Sequence, residues 1–292
     1  KNVTEVPYLN QIKCGNCADL LKQYPDSSID LIVTSPPYGT IRDYQGYQLE
    51  FEKIAIQLYR VVKQGGVVVW IIGDTIEDGE ETGNPFQHVF FFKQLGFKLH
   101  DTMIYLKNSF SRPSSNRCHQ VFEYMFVFTK GKLKTYNIIE DRKTTSESSG
   151  RASIRQKDGS LKHGKKGMRH SKYGGRFNVW LYKTGKHHST KDKIAFKHPA
   201  IFPEALARDH IYMWSNPHDI VMDIFNGSGT TTKMAYLMHR NYIGFDCSLD
   251  YCEIAEKRLK MYEGKQQPQS YWDALLRPDQ NTNTSLLHFF GK

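Results

Sequence analysis

The sequence predicts an α/β domain on a mostly parallel, twisted sheet, interrupted by a basic insert. Three observations carry this reading. Two strand–helix–strand patterns lie far apart in the chain. Their strands are short, nearly continuous apolar runs, as expected of strands buried on both faces of a parallel sheet. Between the two patterns the composition changes to Gly, Ser, Thr, His and basic residues.

The elements follow in order. Asp30 to Thr34 is a short apolar run, ended by Ser35, Pro36 and Pro37. Residues 49–62 carry Phe51, Ile54, Ala55, Leu58, Tyr59 and Val62 at helical spacing. Gly66 to Ile72 is the second strand of this unit. Residues 99–106 and 121–128 read as two later strands, expected as an antiparallel pair. The second unit begins at Ile220 to Asp223 and turns through Phe225 to Thr230. A helix over 231–240, a strand over 242–246 ending on Asp246, and a charged helix over 249–262 complete it. The expected organisation is a domain made of 1–130 and 198–262, an insert over 131–197, and a polar, peripheral tail over 263–292. Within that tail, Leu286 to Phe290 could dock.

Composition excludes several classes. With 292 residues, 39% hydrophobic and 24% charged, the chain can bury a sizeable core. The longest nearly uncharged apolar run, Gly65 to Gly73, is far short of a membrane span. No basic-then-apolar leader opens the chain, so no secretory signal is expected. Five cysteines without even spacing make no disulfide framework, and a reducing cytoplasm is the expected location. Cys14-x-x-Cys17 has no second pair, and His187 and His188 have no matching ligand set, so no metal site is expected.

The net charge of +10 is unevenly placed. Residues 131–197 hold 18 Lys+Arg against five acids, so they carry +13 and the remainder carries −3. Such a footprint suits nucleic acid phosphates. Lys165, Lys166, Arg169, Lys172 and Arg176 are the candidate contacts. Tyr173, Phe177, Trp180 and Tyr182 lie among them, either packing the insert or touching bases.

Two turns carry chemistry. In Asp223-x-Phe225-x-Gly227-x-Gly229, close glycines after a strand-end acid let a ligand approach the backbone. The spacing is neither that of a dinucleotide fingerprint nor that of a P-loop. Asp246 ends the next strand, where an acid can take both ribose hydroxyls. A nucleoside-containing cofactor without a pyrophosphate fits. In Thr34-Ser35-Pro36-Pro37-Tyr38, consecutive prolines fix φ and remove two N–H donors. The Ser35 and Pro36 carbonyls become rigid acceptors, and Tyr38 offers a face on which an extruded base can stack.

These turns, in this order, resemble the S-adenosylmethionine-dependent DNA amino-methyltransferases of the permuted β group. There the Pro-Pro catalytic motif precedes the F-x-G-x-G cofactor motif, with the target-recognition region between. The resemblance spans residues 10–262 and includes Arg60 to Gly66, Asn178 to Trp180, and His198 to Pro203. It implies a Rossmann-like, circularly permuted methyltransferase domain with S-adenosyl-L-methionine as cofactor and double-stranded DNA as partner. It assigns catalysis to Ser35, Pro36, Pro37 and Tyr38. It assigns the cofactor to Asn16, Phe202, Pro203, Asp223, Phe225, Asn226, Gly227, Ser228, Gly229, Thr230 and Asp246. Asp223 is expected to fix either the cofactor end or the Ser-Pro-Pro-Tyr turn. Ile224 and Asn16 depart from the family pattern, which more often has Pro and Asp there.

Ser35 and the segment His198 to Pro203 resemble the cytosine-N4 enzymes more than the adenine-N6 enzymes. None of the cysteines follows a proline, which argues against C5 methylation. The alternatives are adenine-N6 methylation, methylation of RNA or protein glutamine, and a DNA-binding module without catalysis. A homodimer and a cognate restriction endonuclease are further partners that the resemblance suggests.

Overall fold

The computed structural model describes residues 5–37, 49–109, 116–144, 153–163, 172–186 and 188–277. The chain divides into two compact units. One is Lys1–Asn137 with Asn178–Gln269, and the other is Ile138–Phe177 with Ser270–Lys292.

The larger unit is built on eight strands: β1 (Gln11–Cys14), β2 (Ile29–Thr34), β3 (Val62–Ile72), β4 (Lys98–Lys107), β5 (Phe122–Thr129), β6 (Val179–Tyr182), β7 (Ile220–Asp223) and β8 (Asn241–Asp246). Their spatial order is β1-β8-β7-β2-β3-β5-β4-β6. The first five in that order run parallel, β5 is antiparallel to both neighbours, and β6 is parallel to β4. Val67 to Ile72 of β3 are at most 1% exposed, as their unbroken apolar run requires. Each such side chain contributes about 1.5–3 kcal/mol by leaving water.

The helices are α1 (Cys17–Leu20), α2 (Phe51–Val61), α3 (Asn84–Gln94), α4 (Glu204–Trp214), α5 (Thr230–Leu237), α6 (Leu249–Lys260) and α7 (Gln269–Leu276). α2 buries Ile54, Ala55, Leu58 and Val61, the face its spacing predicts. α3 and α4 escape a periodicity reading. α3 buries Pro85, Val89 and Phe92 yet leaves Phe86 and Phe90 exposed. α4 is buried along most of its length, including Asp209 and His210. Those two are tolerated because Tyr182 Oη donates to Asp209 at 2.6 Å and Trp214 Nε1 donates to His210 at 3.2 Å.

The insert is shorter than its charge predicts. Residues 178–197 belong to the larger unit, because β6 pairs with β4 and Asp192 is bound by Lys233 and Arg258. Trp180 is thus a core residue, 2% exposed, with its ring 4.7 Å from His210. The tail divides as well, since residues 263–269 stay with the larger unit and α7 continues into the smaller one. Residues 286–290 lie outside the described residues.

The smaller unit has an antiparallel pair, Arg142–Lys143 with Tyr173–Gly174, and a hairpin, Ser153–Arg155 with Leu161–His163. Its stretch 138–177 holds eleven Lys+Arg against four acids. The Arg142 guanidinium stands 4.4 Å from the centroid of the exposed Phe177 ring. No helix among the described residues is long and apolar enough to cross a membrane.

Candidate active site

Because β8, β7 and β2 are adjacent and parallel, Asp246, Asp223 and Thr34 end at one edge of the sheet. A cavity of about 410 Å³ opens along this edge. Ser35, Pro36, Pro37, Phe202, Phe225, Asn226, Gly227, Ser228, Thr230 and Asp246 line it. The structure therefore brings together two turns almost 190 residues apart.

Asp223 does not face this cavity. It is buried, and its Oδ1 accepts from Thr34 Oγ1 at 2.7 Å and from the Phe225 backbone N–H at 3.0 Å. Of its two expected placements, the contacts are with the residue before Ser35 and with the backbone of its own turn. Burial pushes its carboxyl up to about 6, against the hydrogen bonds it accepts. Asp246 accepts from Gly227 N–H on Oδ2 at 2.8 Å and from Ser248 N–H on Oδ1 at 2.9 Å. Burial raises its pKa, and these backbone donors oppose the rise.

Two glycines shape the turn. Gly227 has φ +47, and a Cβ there would come within 2.8 Å of His198 Nε2. Gly229 has φ +80, and a Cβ there would meet Ala255 Cβ on α6 at 2.8 Å. Such backbone favours glycine, and both close approaches require it. Gly229 and Pro203 are not among the lining residues. Asn16 is not either: its side chain caps α1 by accepting from Ala18 N–H at 2.8 Å, while its neighbours Gly15 and Cys17 line the cavity.

A buried ionic cluster stands behind the turn. Lys233 of α5 and Arg258 of α6 both donate to Asp192 Oδ2 at 2.7 Å. Both also bind Glu204, Lys233 at 2.8 Å. Arg258 further donates to the Ser228 carbonyl at 3.1 Å, and Tyr262 Oη donates to Asp192 at 2.6 Å. The chain between Asp192 and Glu204 carries Phe196, His198 and Phe202 to the cavity wall. These charges thus tie that wall to α5, α6 and the Gly turn.

Sequence reasoning missed several residues. Asp192 reads as one acid in a solvated basic stretch. Lys233, a lone charge in an otherwise apolar and hydroxyl-rich helix, was the available signal. Tyr105, Lys107 and Glu123 also line the cavity, as does Tyr251, whose ring is 4.3 Å from His198. Tyr38, Lys165, Lys166 and Arg169 lie outside the described residues. Lys172 is exposed, whereas Arg176 is held by both oxygens of Asp141. No cluster of three or more His, Cys, Asp or Glu able to hold a metal occurs among the described residues.

A family described as DNA methylase matches residues 29–257, and the chain belongs to it. It is thus a DNA methyltransferase of the class that acts on N4 or N6 amino groups. The orphan methyltransferase M.BamHII of Bacillus amyloliquefaciens is 54% identical over 241 residues, covering 81% of this chain and 91% of that one. Two solved structures share the fold. The cytosine-N4-specific PvuII DNA methyltransferase has a TM-score of 0.62 at 20% identity, covering 88% of this chain and 93% of its own. The M1.HpyAVI–SAM complex has a TM-score of 0.58 at 22% identity, covering 85% and 98%.

Proposed function

We propose that this protein transfers a methyl group from S-adenosyl-L-methionine to cytosine N4 in duplex DNA, on a base turned out of the helix. The observation that carries this reading is the single cavity lined by Ser35, Pro36 and Pro37 on one side and Phe225 to Ser228 with Asp246 on the other. Its volume is that of a small-molecule site. Asp246 is fixed by backbone donors, and its oxygens retain acceptor capacity for ribose hydroxyls. Phe225 and His198 both line the cavity, and the glycine at 227 lets the turn pass close against the His198 ring. These residues fit the cofactor, which supplies an activated methyl group when bound.

The chain's own residues position and orient. Ser35 Oγ and the Pro36 carbonyl accept the hydrogens of the target amino group and aim its lone pair. Tyr38 stacks on the base. Asp223, bound to Thr34, holds the Ser-Pro-Pro turn in register with the cofactor turn. Positioning and electrostatics then carry the rate. The catalytic turn precedes the cofactor turn in sequence although their strands are neighbours, which supports the permuted order. The exposed basic residues of 138–177 grip the DNA backbone, and two copies act together as a dimer. The relative M.BamHII is described as an orphan methyltransferase, so a dedicated restriction endonuclease is no part of this proposal.

Methylation of plasmid DNA with labelled cofactor, followed by nucleoside analysis, tests the reading. N4-methylcytosine is expected, and Ser35→Ala should abolish most transfer. N6-methyladenine instead would overturn the choice of base. No transfer across diverse DNA, or full activity in Ser35→Ala, would overturn the assignment of the site.

A further inference from the structure

The cavity extends past the Ser-Pro-Pro turn to residues that the chemistry above leaves without a part. Tyr105 and Lys107 of β4, Glu123 of β5, and Ser109 and Thr184 line that end. Topology brings them there. β5 runs antiparallel to β3 and β4, so the start of β5 and the end of β4 reach the edge where β3 ends. Tyr105 stands opposite Glu123 in the ladder. Lys107 Nζ donates to Glu123 Oε1 at 2.5 Å, with side chains 23% and 12% exposed. It also stands 5.7 Å from the Tyr105 ring centroid. Glu123 therefore fixes the ammonium and uses one of its three hydrogens.

Drawing such a pair partly out of water is costly. The β4–β5 ladder is continuous from Tyr105 to Thr102 without it. A charged pair at the wall of a substrate cavity has a use when a ligand takes its remaining donors. β5 lies two strands from β2, so roughly 10 Å separates its wall from the Ser35 turn. That gap leaves room for one flat base whose amino edge meets the Ser35 turn and lies within reach of the long Lys107 side chain. Pro36, Pro37, Phe196 and Phe202 line the same cavity and are apolar, as ring faces require. A cytosine whose amino group meets Ser35 and Pro36 presents N3 beside it, and N3 is an acceptor.

We propose that Lys107, braced by Glu123, is a base-binding residue that donates to N3 of the flipped cytosine. The inference rests on the cytosine-N4 reading above. It adds a reason for rejecting thymine and uracil, whose N3 carries a hydrogen. That hydrogen would face the ammonium and leave two donors unpaired, which a closed site discriminates against strongly.

The test uses the full chain, duplex oligonucleotides with cytosine or 3-deazacytosine at the methylated position, and single-turnover methyl transfer. Cofactor binding is measured in parallel by calorimetry. Lys107→Met should lower the rate on cytosine roughly 10- to 100-fold, the range of one charge-assisted hydrogen bond. Cofactor affinity should stay unchanged, and Lys107→Arg should recover part of the rate. Wild type should lose a similar factor on 3-deazacytosine, and Lys107→Met should lose nothing more there. Losses that multiply, or an undiminished wild-type rate on 3-deazacytosine, would overturn the inference. The wild-type comparison needs no variant, so it decides even where Lys107→Met fails to fold. A wild type that methylates adenine and not cytosine would overturn the parent reading itself, a result separate from either of these.

Discussion

Asp192→Ala removes the acceptor that two buried cations and the half-buried Tyr262 share. Lys233 Nζ and Arg258 Nε reach Oδ2, both at 2.7 Å, and Tyr262 Oη reaches Oδ1 at 2.6 Å. The two cations are 2% and 0% exposed, so water cannot replace the carboxylate without opening the helix packing. Glu204 alone would then face both charges. Stranding a buried partner costs about 3–5 kcal/mol, and the lost tyrosine bond adds about 1 kcal/mol. Against a usual domain stability of about 5–15 kcal/mol, that is about a quarter of the total or more. Urea denaturation of the ligand-free protein, followed by tryptophan fluorescence, should show a loss of about 4–6 kcal/mol. A loss below about 1 kcal/mol would mean the cluster is worth no more than a surface pair and would refute the reasoning. pH gives a second check. Burial would raise the Asp192 pKa, but Arg258, Lys233 and Tyr262 outweigh it and hold the carboxyl at about 2. Its folded value is depressed, so its contribution is complete above the ordinary value of 3.8 and is lost as pH falls through 2. The gap between wild type and Asp192→Ala should therefore shrink across that window.

Three other outcomes follow from the site. Asp223 has a raised folded pKa of about 6, so its charge opposes stability above that value and ceases to do so as pH falls towards 3.8. Asp223→Asn should flatten this part of a stability–pH curve while keeping an acceptor for Thr34, whereas Asp223→Ala should cut methyl transfer roughly 100-fold by loosening the turn. Gly229→Ala should destabilise by about 1–3 kcal/mol in thermal denaturation, through strain at φ +80 and the contact with Ala255. Asp246→Ala should weaken cofactor binding in calorimetry by roughly 10-fold or more. In wild type, burial raises the Asp246 pKa, so binding should weaken with acid from a higher pH than an ordinary carboxylate would allow.

Six of the eight sheet strands, the two turns and the antiparallel pair were legible because each is written in local residue patterns, whereas β1 and β6 were not read as strands. Pro36 and Pro37 break a strand wherever they stand, and alternation or continuity of apolar residues reports burial without knowledge of partners. The Gly turn was legible for the same reason, since positive φ at Gly227 and Gly229 is written in the residue type. α3 and α4 were not, because helices apolar on several faces lose the periodicity that marks one face.

Charge was the least local signal. Counted along the chain, residues 131–197 form one basic block. In the folded chain Asp192 is an anchor for two buried cations from helices far downstream. Lys107 and Glu123, 16 residues apart, become one pair only because β4 and β5 reverse direction. The sequence by itself determined six of the eight sheet strands and where the Pro-Pro and Gly turns fall. The tertiary structure decided which of them share a cavity, where the insert begins, and that Asp223 grips Thr34. Those depend on strand order and on desolvation, which are properties of neighbours in space and not of neighbours in the chain.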